Sequence, residues 1–468
     1  MPPKTFDRRL AILDGGWGVH MGPDMMYRQF EEGHDKGPDT PALICTHQRS
    51  GPLIDAIGNI TAAEGWLTWT YRQLMQGAKN LAAVLTLYGV KRGDTMIVFL
   101  PNGAEWTLSF WIAIMLDLTF VPLDPGSLVP RGPEEADYPL KQLKPTIVLV
   151  PNPMYANLFD KFYPGVSEKL QVSIVCHAMA DDSMNGWITF DSLTQIVGYQ
   201  SDAKRPERDA TVADDRVAAV LFNVDYSEHS PKGCPLRVLN IRTAVMAQYM
   251  PPKQRMLISC PPSSSMTLEA AILAWSWGGT VVIAGPTFSA DWAFNAIERH
   301  GCTHIICMPL HLAGLIKHPS LPERQITSLQ GVSVNGGFVN EWLLAAAKQE
   351  LGIEWASPAL TMSEGFGTLG WTSVAYGDRT LDSVGTVMWG SVVKICGRNG
   401  HVVGRGEQGR LHIGGDAIIE GYLGGVANEY FYRDMDGTRW FITNYYGEMD
   451  MKGLVRLESR GASLPPSK

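Results

Sequence analysis

Strand-like and helix-like segments alternate through most of this chain, and that alternation restricts the fold more than any other feature. Short apolar runs at Met96 to Leu100 and Ile147 to Val150 flank a helical pattern from Glu105 to Leu116. Thr280 to Ala284 is a β-branched strand, followed by a helix through Trp292, Ala293 and Ile297. Another strand, Thr303 to Met308, comes next, and then a helix from Glu341 to Leu351 that Gly352 is placed to cap. Strands that alternate with helices in this way form parallel sheets covered by helices. After about residue 385 the texture changes to short strands and glycine turns, as in Gly409 to Gly415. The expected fold class is α/β, with two helix-covered sheets over 1–384, a small β-rich subdomain over 385–460 and a frayed tail over 461–468.

A chain of 468 residues, 45% hydrophobic and 18% charged, has the length and composition for a large packed core. The net charge of -8 and the lack of a dense Lys/Arg run argue against a nucleic-acid partner. The seven cysteines form no C-x-x-C pair, so neither a zinc site nor a disulfide framework is indicated, and Cys234 reads as a buried, inert thiol. The most apolar stretch, Leu108 to Leu123, is too short for a membrane span and contains Asp117. Met1-Pro-Pro-Lys leads into charged residues rather than a signal peptide, so a cytoplasmic location is expected.

One segment carries altered chemistry. Leu221-Phe-Asn-Val-Asp-Tyr-Ser-Glu-His-Ser-Pro-Lys-Gly233 follows an apolar run, Val217 to Phe222, that predicts a short buried strand. A phosphate loop works because glycines let backbone N–H groups approach the phosphates closely. Here no glycine precedes Gly233, the side chains of Tyr226 and His229 would restrict such a backbone, and Asp225 and Glu228 add carboxylates. At an effective dielectric near 20, like charges about 4 Å apart repel by roughly 4 kcal/mol. The bland reading is an acidic surface loop between strand and helix.

With Pro231-Lys232-Gly233 at its end and Ser227 at a central hydroxyl position, the segment resembles the phosphate loop of the adenylate-forming, AMP-binding enzymes: acyl-CoA synthetases, acyl-AMP ligases and nonribosomal adenylation domains. Ordered landmarks extend the likeness from about residue 65 to 460: Leu67 to Leu74, Gly89 to Asp94, Leu100-Pro-Asn102 and Val121 to Pro125. The resemblance implies the large N-terminal part of that fold, ATP, Mg²⁺ and CoA as cofactors, and an acyl or aryl substrate. Gly336-Gly337 matches the pair that lines the acyl and adenine sites, followed by the bulky Phe338. Leu360-Thr-Met-Ser-Glu364 matches the segment whose carboxylate holds Mg²⁺, with Ser363 keeping a hydroxyl and Glu364 the metal ligand.

Several family positions are changed. Cys260-Pro-Pro-Ser-Ser264 lacks the histidine expected near it, and Leu360 replaces the ring that stacks near adenine. Trp440-Phe-Ile-Thr443 is followed by Asn444-Tyr445 where Gly-Asp is expected, so Tyr445 stands in place of the aspartate that binds the ribose. Arg460 matches the arginine that touches ribose or phosphate, and the lid that should follow is not matched before Lys468. ATP binding and adenylation are therefore expected to be impaired.

Three functions remain open on the residues. One is a derivative that binds an acyl or aryl carboxylate or thioester, with Asp225, Glu228, His229 and Lys232 as a catalytic set. Ser227, Gly233, Gly336, Gly337, Ser363, Tyr445 and Arg460 would then bind the nucleotide or substrate. The second is an ATP-dependent acyl-CoA or acyl-AMP ligase using Lys232, Ser227, Glu364 and Arg460. The third is a non-catalytic partner of a related biosynthetic ligase.

Overall fold

The computed structural model describes residues 4–48 (less 17, 19 and 21), 66–129, 134–178, 186–193 (less 191), 213–225, 230–336 (less 249 and 252), 339–370 and 383–460. Two seven-stranded sheets carry most of them. The first takes β4 (Thr95–Val98), β5 (Thr119–Pro122), β6 (Ile147–Val150), β7 (Val172–Val175), β8 (Ile188–Thr189), β9 (Val217–Asp225) and β10 (Ser230–Arg237). Its spatial order is β10-β9-β5-β4-β6-β7-β8, parallel except where β10 folds back on β9.

The second sheet takes β2 (Pro41–Cys45), β3 (Leu67–Thr70), β11 (Arg255–Ile258), β12 (Thr280–Ile283), β13 (His304–Cys307), β14 (Gly331–Val334) and β15 (Trp355–Pro358). It runs β15-β14-β13-β11-β12-β2-β3, with only β3 antiparallel. The α/β expectation holds, with strand ends that differ by one or two residues. The sequence run to Leu100 leaves the sheet after Val98, and the 341–351 helix ends as expected at Gly352, whose φ is 64°.

Successive residues along each strand face opposite ways, and the cores follow that period. Met96 and Val98 of β4 and Met256 and Ile258 of β11 point into one shared core between the sheets. Ile97 faces the outer layer of the first sheet, and Leu257 that of the second. Two helices fill the middle layer, Ala104–Leu116 after β4 and Ser265–Ser276 after β11, and every residue of both is buried. A helix that is apolar on all sides has no solvent face to offer, so burial in the middle layer is the arrangement such sequences require. Trp275 closes the packing, with its ring 5.6 Å from Trp111 and 6.0 Å from Phe110.

A third, antiparallel sheet holds β19 (Ser391–Cys396), β20 (Gly409–Gly415), β21 (Phe431–Arg433), β22 (Arg439–Met449) and β23 (Val455–Arg460). It also takes β1 (Ile12–Asp14), which pairs with β19 through Leu13 opposite Val393. A small ladder of β16 (Leu360–Met362), β17 (Phe366–Gly370) and β18 (Thr386–Val387) links the second sheet to the third. No helix among the described residues is long and apolar enough to cross a membrane.

One local expectation is corrected. The segment predicted as a loop from Leu221 to Gly233 is largely a hairpin: β9 runs on past Phe222 to Asp225, and Pro231, Lys232 and Gly233 sit inside β10. Pro231 and Pro235 masked the strand in the sequence. A strand tolerates prolines at a sheet edge, where a missing N–H breaks no ladder, and β10 is that edge. Tyr226, Ser227, Glu228 and His229, between β9 and β10 in sequence, lie outside the described residues, as do Gly337 and Phe338.

Candidate active site

In an open parallel sheet, ligands bind beyond the carboxyl ends of the strands where the strand order reverses. In the second sheet that point lies at β11, which has β12 on one side and β13 on the other. A cavity of about 370 Å³ opens there. Pro261 and Ser263–Ser265 after β11, Met308 after β13 and Asn335-Gly336 after β14 form its floor. The β9–β10 hairpin, the turn between β16 and β17, and β22 close over it through Asn223, Lys232, Ser363, Glu364 and Tyr445.

Five of the residues singled out in the sequence therefore meet at one cavity: Lys232, Gly336, Ser363, Glu364 and Tyr445. Gly336 has a φ of 84°, and a Cβ there would come 3.0 Å from Met266 Cε. The backbone angle is the one that favours glycine, and the flexible Met266 end lies close beside it. Asn335 holds the turn, accepting from the Gly336 N–H at 2.6 Å and donating to the Thr361 carbonyl at 3.3 Å.

Three others are not among the described lining residues. Gly233 does not line the cavity: a Cβ on it would come 2.7 Å from Leu423 Cδ1, so its glycine serves packing against that side chain. Asp225 closes β9, and Arg460 ends β23 opposite Tyr445 in register, but the side chains of both lie outside the described residues. Ser227, Glu228, His229 and Gly337 are likewise outside them.

Lys232 is buried, at 7% exposure, and its Nζ lies 5.1 Å from the Tyr430 ring centroid and 5.7 Å from that of Tyr422. Aromatic faces attract an ammonium group, and here they hold the lysine against the cavity wall. Glu364 is buried on the same wall. Its Oε1 accepts from Tyr422 Oη at 2.7 Å and from Asn223 Nδ2 at 3.1 Å. Burial and then the Glu364 charge hold the Tyr422 phenol well above its usual pKa, so it remains a donor. Cys234, next to Lys232 in sequence but fully buried, has its thiol pushed up by burial and stays inert, as the sequence reading has it.

Sequence reasoning missed Asn223, Tyr422 and Tyr430, because each meets its partner across separate elements. The available signal was the strand period: Asn223 lies two residues from the buried Leu221, a polar residue where the alternation calls for an apolar one. A fourth missed residue stands behind the wall. Glu269 is buried and accepts from Gln248 Nε2 at 2.6 Å, Thr361 Oγ1 at 2.7 Å and Gly367 N at 2.9 Å. It ties both strands of the β16–β17 hairpin to the 265–276 helix and so fixes the turn that carries Ser363 and Glu364. Burial raises its pKa against the pull of those three donors.

The chemistry of the donor set fits parts of a nucleotide–metal group unevenly. Lys232 and the N-terminus of the 265–276 helix suit an anion. Glu364 offers one hard oxygen ligand, which Mg²⁺ can supplement with phosphate and water, and the described residues contain no cluster of three or more His, Cys, Asp or Glu that could hold a metal. The donors differ most on β22, where the resemblance puts the ribose. Thr443 to Tyr445 present no carboxylate, and Asn444 Oδ1 already accepts from Arg410 at 2.9 Å.

Comparison with known proteins agrees with this geometry. The chain is 27% identical to "Acyl--CoA ligase GME11374" of Pestalotiopsis microspora, over 93% of this chain and 78% of that protein. It is 22% identical to "Acyl-CoA ligase sidI" of Aspergillus fumigatus, over 84% of this chain and 68% of the other. Among solved structures, the luciferase-like enzyme of the mealworm Zophobas morio superposes with a TM-score of 0.76 at 18% identity, covering 96% of this chain and 99% of that one. The anthranilate CoA ligase AuaEII in complex with anthranoyl-AMP superposes with a TM-score of 0.77 at 16% identity, covering 94% and 79%. The AMP-binding enzyme family matches residues 30–423, most of the chain, and this protein belongs to it.

Proposed function

We propose that this protein is an acyl- or aryl-CoA ligase-like member of its family that binds an acyl or aryl carboxylate or thioester, with adenylation impaired. Tyr445 carries the reading. It lines the cavity together with Lys232 and Glu364, and the sequence resemblance sets it where the family has its ribose-binding aspartate. A phenol cannot replace a carboxylate that accepts from both ribose hydroxyls, and each lost charge-assisted bond weakens binding by about 1.5–3 kcal/mol. Lys232 supplies the charge for the ligand's carboxylate or phosphate, and Met266, Met308, Met362 and Phe441 supply an apolar wall for its acyl or aryl part. Relatives named for biosynthesis, such as enterobactin synthase component E of Escherichia coli (23% identical), support a place in a specialised pathway.

Calorimetry with ATP and Mg²⁺, pyrophosphate exchange over a panel of carboxylates, and thermal shift with acyl-CoA thioesters test the proposal together. The expected result is no micromolar ATP affinity, no carboxylate-dependent exchange, and stabilisation by thioester. A ligand at a hundredfold its dissociation constant adds about 2.7 kcal/mol. Tyr445→Asp should restore ATP affinity by about tenfold or more, and Lys232→Ala should weaken the thioester. Micromolar ATP affinity with carboxylate-dependent exchange in the wild type would instead establish an active ligase.

A further inference from the structure

The first sheet repeats the geometry that makes the large cavity. Its strand order reverses at β4, which has β5 on one side and β6 on the other. A second cavity, of about 210 Å³, opens at that point. Leu100 and Pro101 after β4, Pro151 after β6 and Pro286 after β12 give it aliphatic walls. Its polar groups are unlike those of the large cavity: Glu105, Asn102, Gln48, His47 and His177, with neither lysine nor arginine on the described lining.

Two of these polar side chains are more than nine-tenths buried and have an acceptor without a hydrogen bond among the described residues. Asn102 is 3% exposed; its Nδ2 donates to the Cys260 carbonyl at 2.8 Å, which fixes the amide and leaves Oδ1 unpartnered. Glu105 is 5% exposed, and Gln48 Nε2 donates to its Oε2 at 2.7 Å. Its Oε1 lies 3.3 Å from His177 Nε2 but makes no hydrogen bond. The orientation of Gln48 is fixed because its Oε1 accepts from the Ala104 N–H at 2.8 Å. Burial lowers the pKa of His47, ahead of the opposing pull of Glu105 and the Ile283 and Asn102 carbonyls, so that ring adds no charge near neutral pH. Buried acceptors are costly to leave unpaired. Glu105 and Asn102 both line this small, proline-walled space, and a ligand that donates hydrogen bonds and carries positive charge at one end would satisfy both acceptors.

We propose that this cavity is a second binding site, separate from the large one, for a small primary ammonium compound with a short aliphatic body. The ammonium group would donate to Glu105 Oε1 and Asn102 Oδ1, and the aliphatic part would lie against the prolines. The exposed His177 competes for Glu105 and gives way when the ligand enters.

Titration calorimetry and thermal shift on the full chain, with n-butylammonium, 1-butanol and butyrate at matched ionic strength, test this. Butylammonium should bind saturably, and butanol and butyrate should not. Glu105→Gln should weaken butylammonium by at least about tenfold. His177→Ala, at a surface position that serves as the check should Glu105→Gln fold poorly, should tighten it by about twofold, as fits the loss of one exposed competing contact. Glu364→Gln, in the large cavity, should leave the affinity unchanged. Equal binding of butanol or butyrate, the absence of saturable butylammonium binding, full affinity in Glu105→Gln, no gain in His177→Ala, or loss in Glu364→Gln would each overturn the proposal.

Discussion

Both seven-stranded sheets run a central strand into a proline-bearing turn, then a fully buried helix, then a parallel neighbour. In the first the parts are β4, Pro101 and the 104–116 helix; in the second they are β11, Pro261 and the 265–276 helix. Each reverses its strand order at that point, and each opens a cavity there. What differs is the covering. The second crevice is closed by the β9–β10 hairpin, the β16–β17 turn and β22, which bring Lys232, Glu364 and Tyr445 to it and enlarge it to about 370 Å³. Among the described residues the first is lined instead by His47 and Gln48 after β2 and Pro286 after β12, measures about 210 Å³ and has Glu105 as its carboxylate. Topology sets where a site can form, and the elements that pack over it set its chemistry.

If the two layers are one cooperative unit, the strongest perturbation is the side chain that joins their helices. Trp275 is fully buried, stacks with Phe110 and donates from Nε1 to the Ala42 carbonyl at 3.0 Å. Trp275→Ala should destabilise by about 3–5 kcal/mol, read as a shift of the denaturant midpoint. Unfolding should remain a single transition by circular dichroism and by fluorescence. Two separated transitions would show that the sheets unfold independently and that their likeness is only topological.

The next effect separates the second crevice from the first. Glu269 stands behind the large cavity and has no counterpart behind the small one among the described lining residues. Glu269→Ala leaves three donors, the buried Gly367 N–H and the half-buried Gln248 and Thr361 side chains, short of an acceptor and should lower stability by about 1–3 kcal/mol. Its raised pKa adds a pH signature. The folded state holds the proton more tightly than the unfolded chain. That contribution to stability is therefore full below the ordinary glutamate pKa and is lost as pH rises through the folded value. The melting temperature of Glu269→Gln relative to wild type should accordingly climb over that interval. A flat difference would mean that Glu269 titrates as an ordinary glutamate.

The same contrast explains what the sequence made legible. Runs such as Ile147 to Val150 and the 341–351 helix with its Gly352 cap are local patterns, and they appear where expected. Lys232, Gly336, Ser363, Glu364 and Tyr445 were legible because they sit in ordered motifs, and they meet at one cavity. Strand β10 was not, since its two prolines are tolerated only by an edge that tertiary structure defines. Nor were the partners Asn223 and Tyr422, which reach Glu364 from 141 and 58 residues away in the chain. The pairing of Ile12–Asp14 with the distant strand β19 left no local sign either. Glu105 read as part of a helical pattern, and its burial at a crevice depends on both sheets being in place.

The remaining effects compare how the two buried helices are capped. Ser264 caps the 265–276 helix in the usual way, its Oγ accepting from the Thr267 N–H at 3.2 Å. The 104–116 helix begins after Gly103, which has no side chain to offer, and Gln48 supplies the cap from another segment by accepting from the Ala104 N–H. Gln48 also donates to the Glu105 carboxylate, so Gln48→Ala removes a cap and leaves a buried charge short of a donor. It should cost about 1.5–3 kcal/mol, against about 1 kcal/mol for Ser264→Ala. Glu105→Gln should narrow that gap, because the donation it removes is then made to a neutral amide rather than a carboxylate. A double-mutant cycle of Gln48→Ala with Glu105→Gln reads the coupling directly, and a coupling of about 0.5 kcal/mol or more is expected for residues in contact. A coupling of zero, with Gln48→Ala no worse than Ser264→Ala, would reduce Gln48 to a plain helix cap and make the two crevices alike in this respect.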